Sequence, residues 1–234
     1  MAEQLALAVQ LRDTASFDSF WVGNNAETVA ALRTLQHSTL LYGPPQSGRT
    51  HLLQACCRAQ RGAYLPLAEL RDAGAEVLEG FAGMPLLCLD DVDAVADDRV
   101  WALALVRLLD QRRSDARLSL LSAAAPPEHL TLALPDLRTR LAACDLLGLL
   151  APDDAQRAAL LKDRAQARGL KLPDEVVRWL LQTQARSTGA LLGALEALDR
   201  ASLRAKRRLT LPFVQSVLSA ATAPAAAATL SRDR

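Results

Sequence analysis

Net charge is nearly absent from this 234-residue chain: +1 at pH 7, so no global field draws it toward nucleic acid or a membrane, and any such contact must be local. Cysteine is sparse, and its spacing excludes a zinc site. Cys56, Cys57, Cys88 and Cys144 show none of the paired intervals such a site needs, and two of them are adjacent. They read as buried free thiols, which fits a reducing cytoplasm. No apolar run approaches the roughly 20 residues of a spanning helix. The start, Met1-Ala-Glu-Gln4, lacks the basic and apolar regions of a signal peptide. A cytoplasmic protein without membrane contact is therefore expected. Lysine is scarce beside arginine, which together with abundant Ala and Leu reflects genome base composition rather than function. Internal repeats are lacking too. What is present is ordinary for a globular protein: half the residues are hydrophobic, enough for one large core, or a main domain plus a small one.

The chain alternates strand and helix patterns up to residue 152. Residues 38–42, 63–67, 85–90, 117–122 and 145–150 are short apolar runs of the kind found in buried strands. Between them, helices are predicted over 24–35, 49–58, 68–79, 98–112 and 137–141. Such alternation predicts a parallel sheet covered on both faces. After Pro152 the strand signals stop. Helices are predicted over 153–168, with Asp153 as N-cap and Gly169 as stop, and then over 173–184, 188–207 and 212–220. The expected organisation is an extended arm over 1–16, an α/β domain over 17–152, an all-α lid over 153–220 and a disordered Ala-rich tail over 221–234.

Three motifs carry chemistry. Gly43-Pro44-Pro45-Gln46-Ser47-Gly48-Arg49-Thr50 follows a predicted strand and opens a predicted helix, with His51 next in that helix. In that context backbone N–H groups curl around a phosphate that faces the helix N-terminus. Thr50 stands where a hydroxyl would hold Mg²⁺. Arg49 stands where a Lys is usual; it keeps the charge but brings a bulkier planar fork, which puts hydrolysis geometry in question. The second motif is the strand end Pro85-Leu-Leu-Cys-Leu-Asp90-Asp91, about 40 residues later. There the first acid would lie beside the metal and the second could orient a water. Two solvated acids in a turn are the plain alternative. The third motif is Asp136-Leu-Arg138-Thr-Arg140-Leu141, on a short helix before the last strand. An Arg there can reach a neighbour's γ-phosphate as an arginine finger. The alternative is an ordinary surface Arg. Arg140 is the better candidate, because Leu137 and Leu141 would anchor the face beside it.

These motifs, together with Phe17-Asp-Ser-Phe20-Trp21-Val-Gly23-Asn24, Leu134-Pro-Asp-Leu-Arg-Thr-Arg140-Leu, Leu198-Asp-Arg-Ala-Ser202 and Leu209-Thr-Leu-Pro-Phe-Val214, resemble the Hda family. Its members are DnaA-related regulators that inactivate the bacterial replication initiator. The similarity runs from about residue 3 to residue 219. It implies an AAA+ P-loop domain with a helical lid, binding ADP or ATP with Mg²⁺. It implies that Gln4, Leu5 and Leu7 form a clamp-binding peptide, with both Leu on one side of an extended chain to dock in the sliding clamp. It implies that Arg140 acts in trans on ATP held by DnaA, and that Phe20 and Trp21 lie against the nucleotide base. Plain core packing is the alternative for the aromatic residues. A homodimer is expected, and sequence-specific DNA binding is not, since the cluster Arg204, Lys206, Arg207, Arg208 reads as a solvated helix end.

The chain departs from the family's pattern. Where the lid usually carries an Arg reaching back to the phosphates, Gly189 stands here, with Arg186 three residues off. Ser122 is followed by Ala123-Ala124 rather than a polar residue. These departures leave two other readings open: a self-sufficient P-loop ATPase of the helicase-loader type, and a degenerate AAA+ scaffold.

Overall fold

The computed structural model describes residues 15–184 and 188–222, so Gln4, Leu5, Leu7, Arg186 and the last twelve residues lie outside the described residues. Two compact units divide between Ala151 and Pro152.

In the first unit, five strands alternate with helices: α1 Ala26–Arg33, β1 Thr39–Tyr42, α2 Arg49–Ala59, β2 Ala63–Pro66, α3 Leu67–Leu70, β3 Leu86–Asp90, α4 Arg99–Ser114, β4 Leu118–Ala123, α5 Pro135–Ala142 and β5 Asp145–Gly148. Every strand pairing is parallel, in the order β2-β3-β4-β1-β5. Because side chains alternate across a strand, neighbouring apolar residues serve opposite faces. Leu40, Leu87 and Leu121 pack with Trp101, Leu105 and Leu108 of α4 and Leu137 and Leu141 of α5. Leu41, Cys88 and Leu120 pack with Val29 and Leu32 of α1 and Leu52, Leu53, Cys56 and Cys57 of α2. The parallel sheet covered on both faces is thus as expected.

The predicted helix over 68–79 is not continuous. It breaks into α3 and two 3-10 turns, Arg71–Ala73 and Ala75–Leu78. Gly74 sits between them at φ +87, a left-handed conformation that cannot continue a helix. Ala15 is buried, and Ser16 and Ser19 exchange side-chain and backbone hydrogen bonds.

The second unit holds α6 Asp154–Ala167, α7 Asp174–Thr183, α8 Thr188–Ala205 and α9 Leu211–Thr222 around a core that includes Leu161, Val177, Leu180, Leu195, Leu198 and Val214. Asp153 caps α6 in a reciprocal capping box with Gln156, at 2.7 and 3.1 Å. Helix α9 reaches Thr222, two residues into the expected tail.

Cys56, Cys57 and Cys88 are buried and Cys144 half-buried, all as free thiols. Burial, then the neighbouring Cys57, pushes the Cys56 thiol up to about 12; burial, then Asp145, pushes Cys144 up to about 11. Since the thiolate is the reactive form, the native protein at pH 8 is expected to react slowly with an aromatic disulfide reagent, first at Cys144, and faster as pH rises. All four thiols should titrate rapidly only in denaturant; rapid native reaction of more than one thiol, read by absorbance, would contradict this packing. Among the described residues no helix is long and apolar enough to cross a membrane, and no group of three or more His, Cys, Asp or Glu could hold a metal ion.

Candidate nucleotide site and arginine edge

The carboxyl ends of β1, β3 and β4 lie side by side, because Leu89 of β3 pairs with Leu121 of β4, and Tyr42 of β1 pairs with Ala123. In open parallel sheets this end is where ligands bind. The segment from Gly43 to Gly48 joins β1 to α2, with Gly43 N–H donating to Ala123 O at 3.2 Å. Gly48 precedes α2 at φ +99, and a Cβ there would lie 2.7 Å from the Phe20 ring, so glycine is required twice over. Pro44, Pro45 and Gln46 are exposed, whereas Ser47 is buried.

Two features of the loop suit an anion. Helix α2 starts without a side-chain cap and without an acidic residue in its first turn. Ser47 Oγ is buried with no partner among the described residues. A buried hydroxyl left unbonded is costly, and a phosphate beside this helix N-terminus would satisfy it. The residues present therefore fit a nucleotide's phosphates, cradled by the backbone of 43–50 with Ser47.

The two acids have different fates. Asp90 is 2% exposed and accepts from Tyr64 Oη at 2.7 Å and from Ser122 Oγ at 2.5 Å. Burial first, then the Asp90 charge, pushes the Tyr64 phenol up, so it stays protonated and donates. Asp91 turns left-handed at φ 54, and its N–H donates to Ser122 Oγ at 2.8 Å. Burial, and then the Asp90 charge, raise the Asp91 carboxyl above its usual range, against the pull of Arg49.

Arg49 explains that arrangement. Its Nη2 donates to Asp91 Oδ1 at 2.9 Å, and its Nη1 to Gly43 O at 2.5 Å and Ala123 O at 2.6 Å. The guanidinium thus ties together the loop's first residue, the end of β4 and the second acid. Asp91, expected as a water-orienting group, is here the charge partner of Arg49. Thr50 is half-buried in the first turn of α2.

The aromatic segment is anchored on the loop. His51 Nε2 lies 2.9 Å from Ser16 O and 3.2 Å from Ser19 Oγ, and its ring meets that of Phe20 at 5.5 Å. Trp21 is half-buried and folds against Gly23. Asn25 fastens the same region to the end of the sheet. Its side chain donates to Leu150 O at 3.0 Å and accepts from Leu150 N at 2.8 Å.

On the opposite motif, α5 buries Leu137 and Leu141 completely and separates its two arginines. Arg138 spends its guanidinium on the loop carbonyls of Pro127 and Leu130. Arg140 is partly exposed, and among the described residues its guanidinium bonds only Asp110 of α4, by Nε at 2.5 Å and Nη2 at 3.2 Å. The hydrogen bond from Arg140, and secondarily its charge, holds the Asp110 carboxyl below its usual range. None of Arg140's described bonds reaches the chain's own 43–50 loop.

Tyr64, Asp110, Asn25 and the fully buried Arg112 escaped sequence reasoning. None lies in a motif, and each gains its role from a residue distant in sequence.

Residues 154–218 match the family described as Hda, lid domain. The fold is similar to that of AMPPCP-bound DnaA from Aquifex aeolicus: 19% identity, TM-score 0.66, 82% of this chain and 67% of that one. It is similar to domain III of the Thermotoga maritima replication initiation protein DnaA: 18% identity, TM-score 0.68, 90% of this chain and 98% of that one. It is also similar to RuvB of Thermotoga maritima, a Holliday junction branch migration motor, at 15% identity and TM-score 0.59 over 90% of this chain and 73% of that one. The fold is thus AAA+, with a C-terminal helical lid matching that of the Hda family, as the sequence resemblance implied.

Proposed function

From a DnaA-like AAA+ fold that carries an Hda lid, we propose that this protein is a cytoplasmic negative regulator of replication initiation that acts on ATP bound by DnaA. The observation that carries this reading is the division of labour between Arg49 and Arg140. Arg49 is consumed in an internal ion pair with Asp91, while Arg140 stands on an outer helix with no bond to its own loop. A site whose own cation and second acid neutralise each other is suited to holding nucleotide rather than turning it over. A partly exposed Arg on an anchored helix, held by Asp110 along one edge, is suited to a neighbour's phosphate.

The chain's own site binds ADP or ATP through the backbone of 43–50 and Ser47, with Thr50 and Asp90 on the Mg²⁺ side and Phe20, Trp21 and His51 toward the base. Bound Mg²⁺ would neutralise phosphate charge there. Gln4, Leu5 and Leu7 dock in the sliding clamp, which brings the protein to DNA without reading its sequence. Self-association as a homodimer accompanies this role.

The arm is tested by surface plasmon resonance on immobilised clamp. Intact protein is expected to bind with micromolar or tighter affinity, and Leu5→Ala/Leu7→Ala to lose at least about tenfold, as expected for two buried Leu anchors. Equal binding by both proteins would remove the arm from the mechanism. Hydrolysis is tested with ATP-loaded DnaA and clamp-loaded DNA. ATP turnover by this chain alone, lost on Asp90→Ala, would favour a self-sufficient ATPase instead.

A further inference from the structure

We propose that Asp110 is a positioning residue for Arg140: it grips one edge of the guanidinium and presents the other edge to an incoming phosphate. This rests on the reading of Arg140 as a finger for a nucleoside triphosphate held by a neighbouring protein.

The geometry is specific. Asp110 Oδ1 accepts from Nε and Oδ2 from Nη2, so the carboxylate meets the guanidinium side-on. This is the two-pronged pairing that fixes the plane of an arginine. It uses the inner edge of the fork. Nη1 and the second hydrogen of Nη2 are left, and Nη1 makes no bond among the described residues. An arginine needs two N–H groups to grip a phosphate, and that is what this mode leaves over.

The two elements are themselves held rigidly. Helix α4 is buried through Leu105, Leu108 and Leu109, which precede Asp110 in sequence, and α5 through Leu137 and Leu141. Neither backbone has to move for Asp110 to aim Arg140. Arg138 supports the same end of α5 by bonding the carbonyls of Pro127 and Leu130. The remaining freedom is the torsions of the Arg140 side chain, and Asp110 restricts them.

A long side chain that swings freely spends little time in the reactive pose, and misplacing a catalytic group slows the reaction well before it affects docking. An ion pair this exposed adds little to stability, so its effect belongs on the rate rather than on folding. Asp110 is also a competitor for the guanidinium. Because it engages only one edge, the phosphate does not have to displace it.

The experiment compares the whole protein with Asp110→Ala, Asp110→Glu and Arg140→Ala. The maximal rate of hydrolysis on ATP-loaded DnaA is measured against the concentration of each protein, with clamp-loaded DNA. Asp110→Ala is expected to lower the maximal rate about 3- to 10-fold at an unchanged half-saturating concentration. Asp110→Glu should restore part of it. Side-chain ¹⁵N relaxation on the protein alone should show Arg140 Nε–H rigid in the parent and mobile in Asp110→Ala, with an unchanged melting temperature. A full maximal rate in Asp110→Ala, or a changed half-saturating concentration with no change in rate, would overturn the positioning role. A mobile Nε–H in the parent would overturn it without reference to activity. If Arg140→Ala keeps the parent's rate, or the parent has no stimulatory activity, the finger reading itself falls, whatever Asp110 does.

Discussion

Arg140→Ala is expected to lower stimulated hydrolysis of DnaA-bound ATP about 10³-fold, the lower end of what an arginine finger contributes. The reason is electrostatic. In phosphoryl transfer, charge spreads over the transferred group's oxygens, and a guanidinium stabilises it most in the transition state. The change should leave the fold intact, because Arg140 is partly exposed, Asp110 is exposed, and their pair adds little to stability. The clamp binding proposed for Gln4, Leu5 and Leu7 should also be unchanged, since those residues are far from Arg140 in sequence. Arg138→Ala is the informative control. It removes bonds to Pro127 and Leu130 that brace α5, so it should lower stability by about 1 kcal/mol per lost bond and slow hydrolysis only moderately. Hydrolysis assays on preloaded DnaA, with a thermal melt of each variant, check both. If Arg138→Ala abolished stimulation while Arg140→Ala spared it, the two roles would be exchanged.

Arg112→Met carries the largest expected cost in stability, about 3 kcal/mol. Arg112 is fully buried in the first unit, yet no carboxylate pairs with it there. Its Nε donates to Ser119 Oγ at 2.9 Å, its Nη1 to Phe81 O, Ala82 O and Met84 O between 2.9 and 3.1 Å, and its Nη2 to Leu118 O. Burial is the main cause that lowers this guanidinium to about 10, so it remains charged at neutral pH. Methionine fills a similar volume but leaves those acceptors without a donor. Each orphaned acceptor costs about 1–3 kcal/mol, less where water can enter beside the half-exposed 81–84 turn. A loss of about 3 kcal/mol is a large part of a typical domain's stability. Urea denaturation followed by circular dichroism measures it, with exposed Arg113→Ala on the same helix expected within about 0.5 kcal/mol of the parent. A midpoint for Arg112→Met equal to the parent's would show that the 81–84 turn satisfies itself.

Most of the fold was legible because its signals are local. Strands buried on two faces read as short apolar runs, and β1, β3 and β4 appear within a residue or two of the positions expected. Asp153, Gly169 and the apolar spacing of α8 marked the lid helices in the same way. The misreading at 68–79 came from apolar residues at helical spacing, which outweighed one glycine that takes a left-handed turn. The candidate site was legible as motifs but not as bonds. A phosphate loop followed by an acidic strand end is visible in the chain. That Arg49 turns to Asp91, Gly43 and Ala123 is not, because those partners are 42, 6 and 74 residues away.

The sequence by itself determined most of the elements and singled out the candidate phosphate loop, the paired acids and Arg140, because periodicity, capping and loop chemistry act within a few residues. Only the tertiary structure decided which charges are spent inside the molecule and which stay at the surface. Arg49, Arg112, Arg138 and Arg140 are the same residue type on helices. Yet one closes on an acid beneath the loop, one is buried among carbonyls, one braces a turn, and one is held by a single edge at the surface. A guanidinium's role depends on the acceptors within about 3 Å of it, and those acceptors come from distant parts of the chain that meet only when the sheet and its covering helices are assembled.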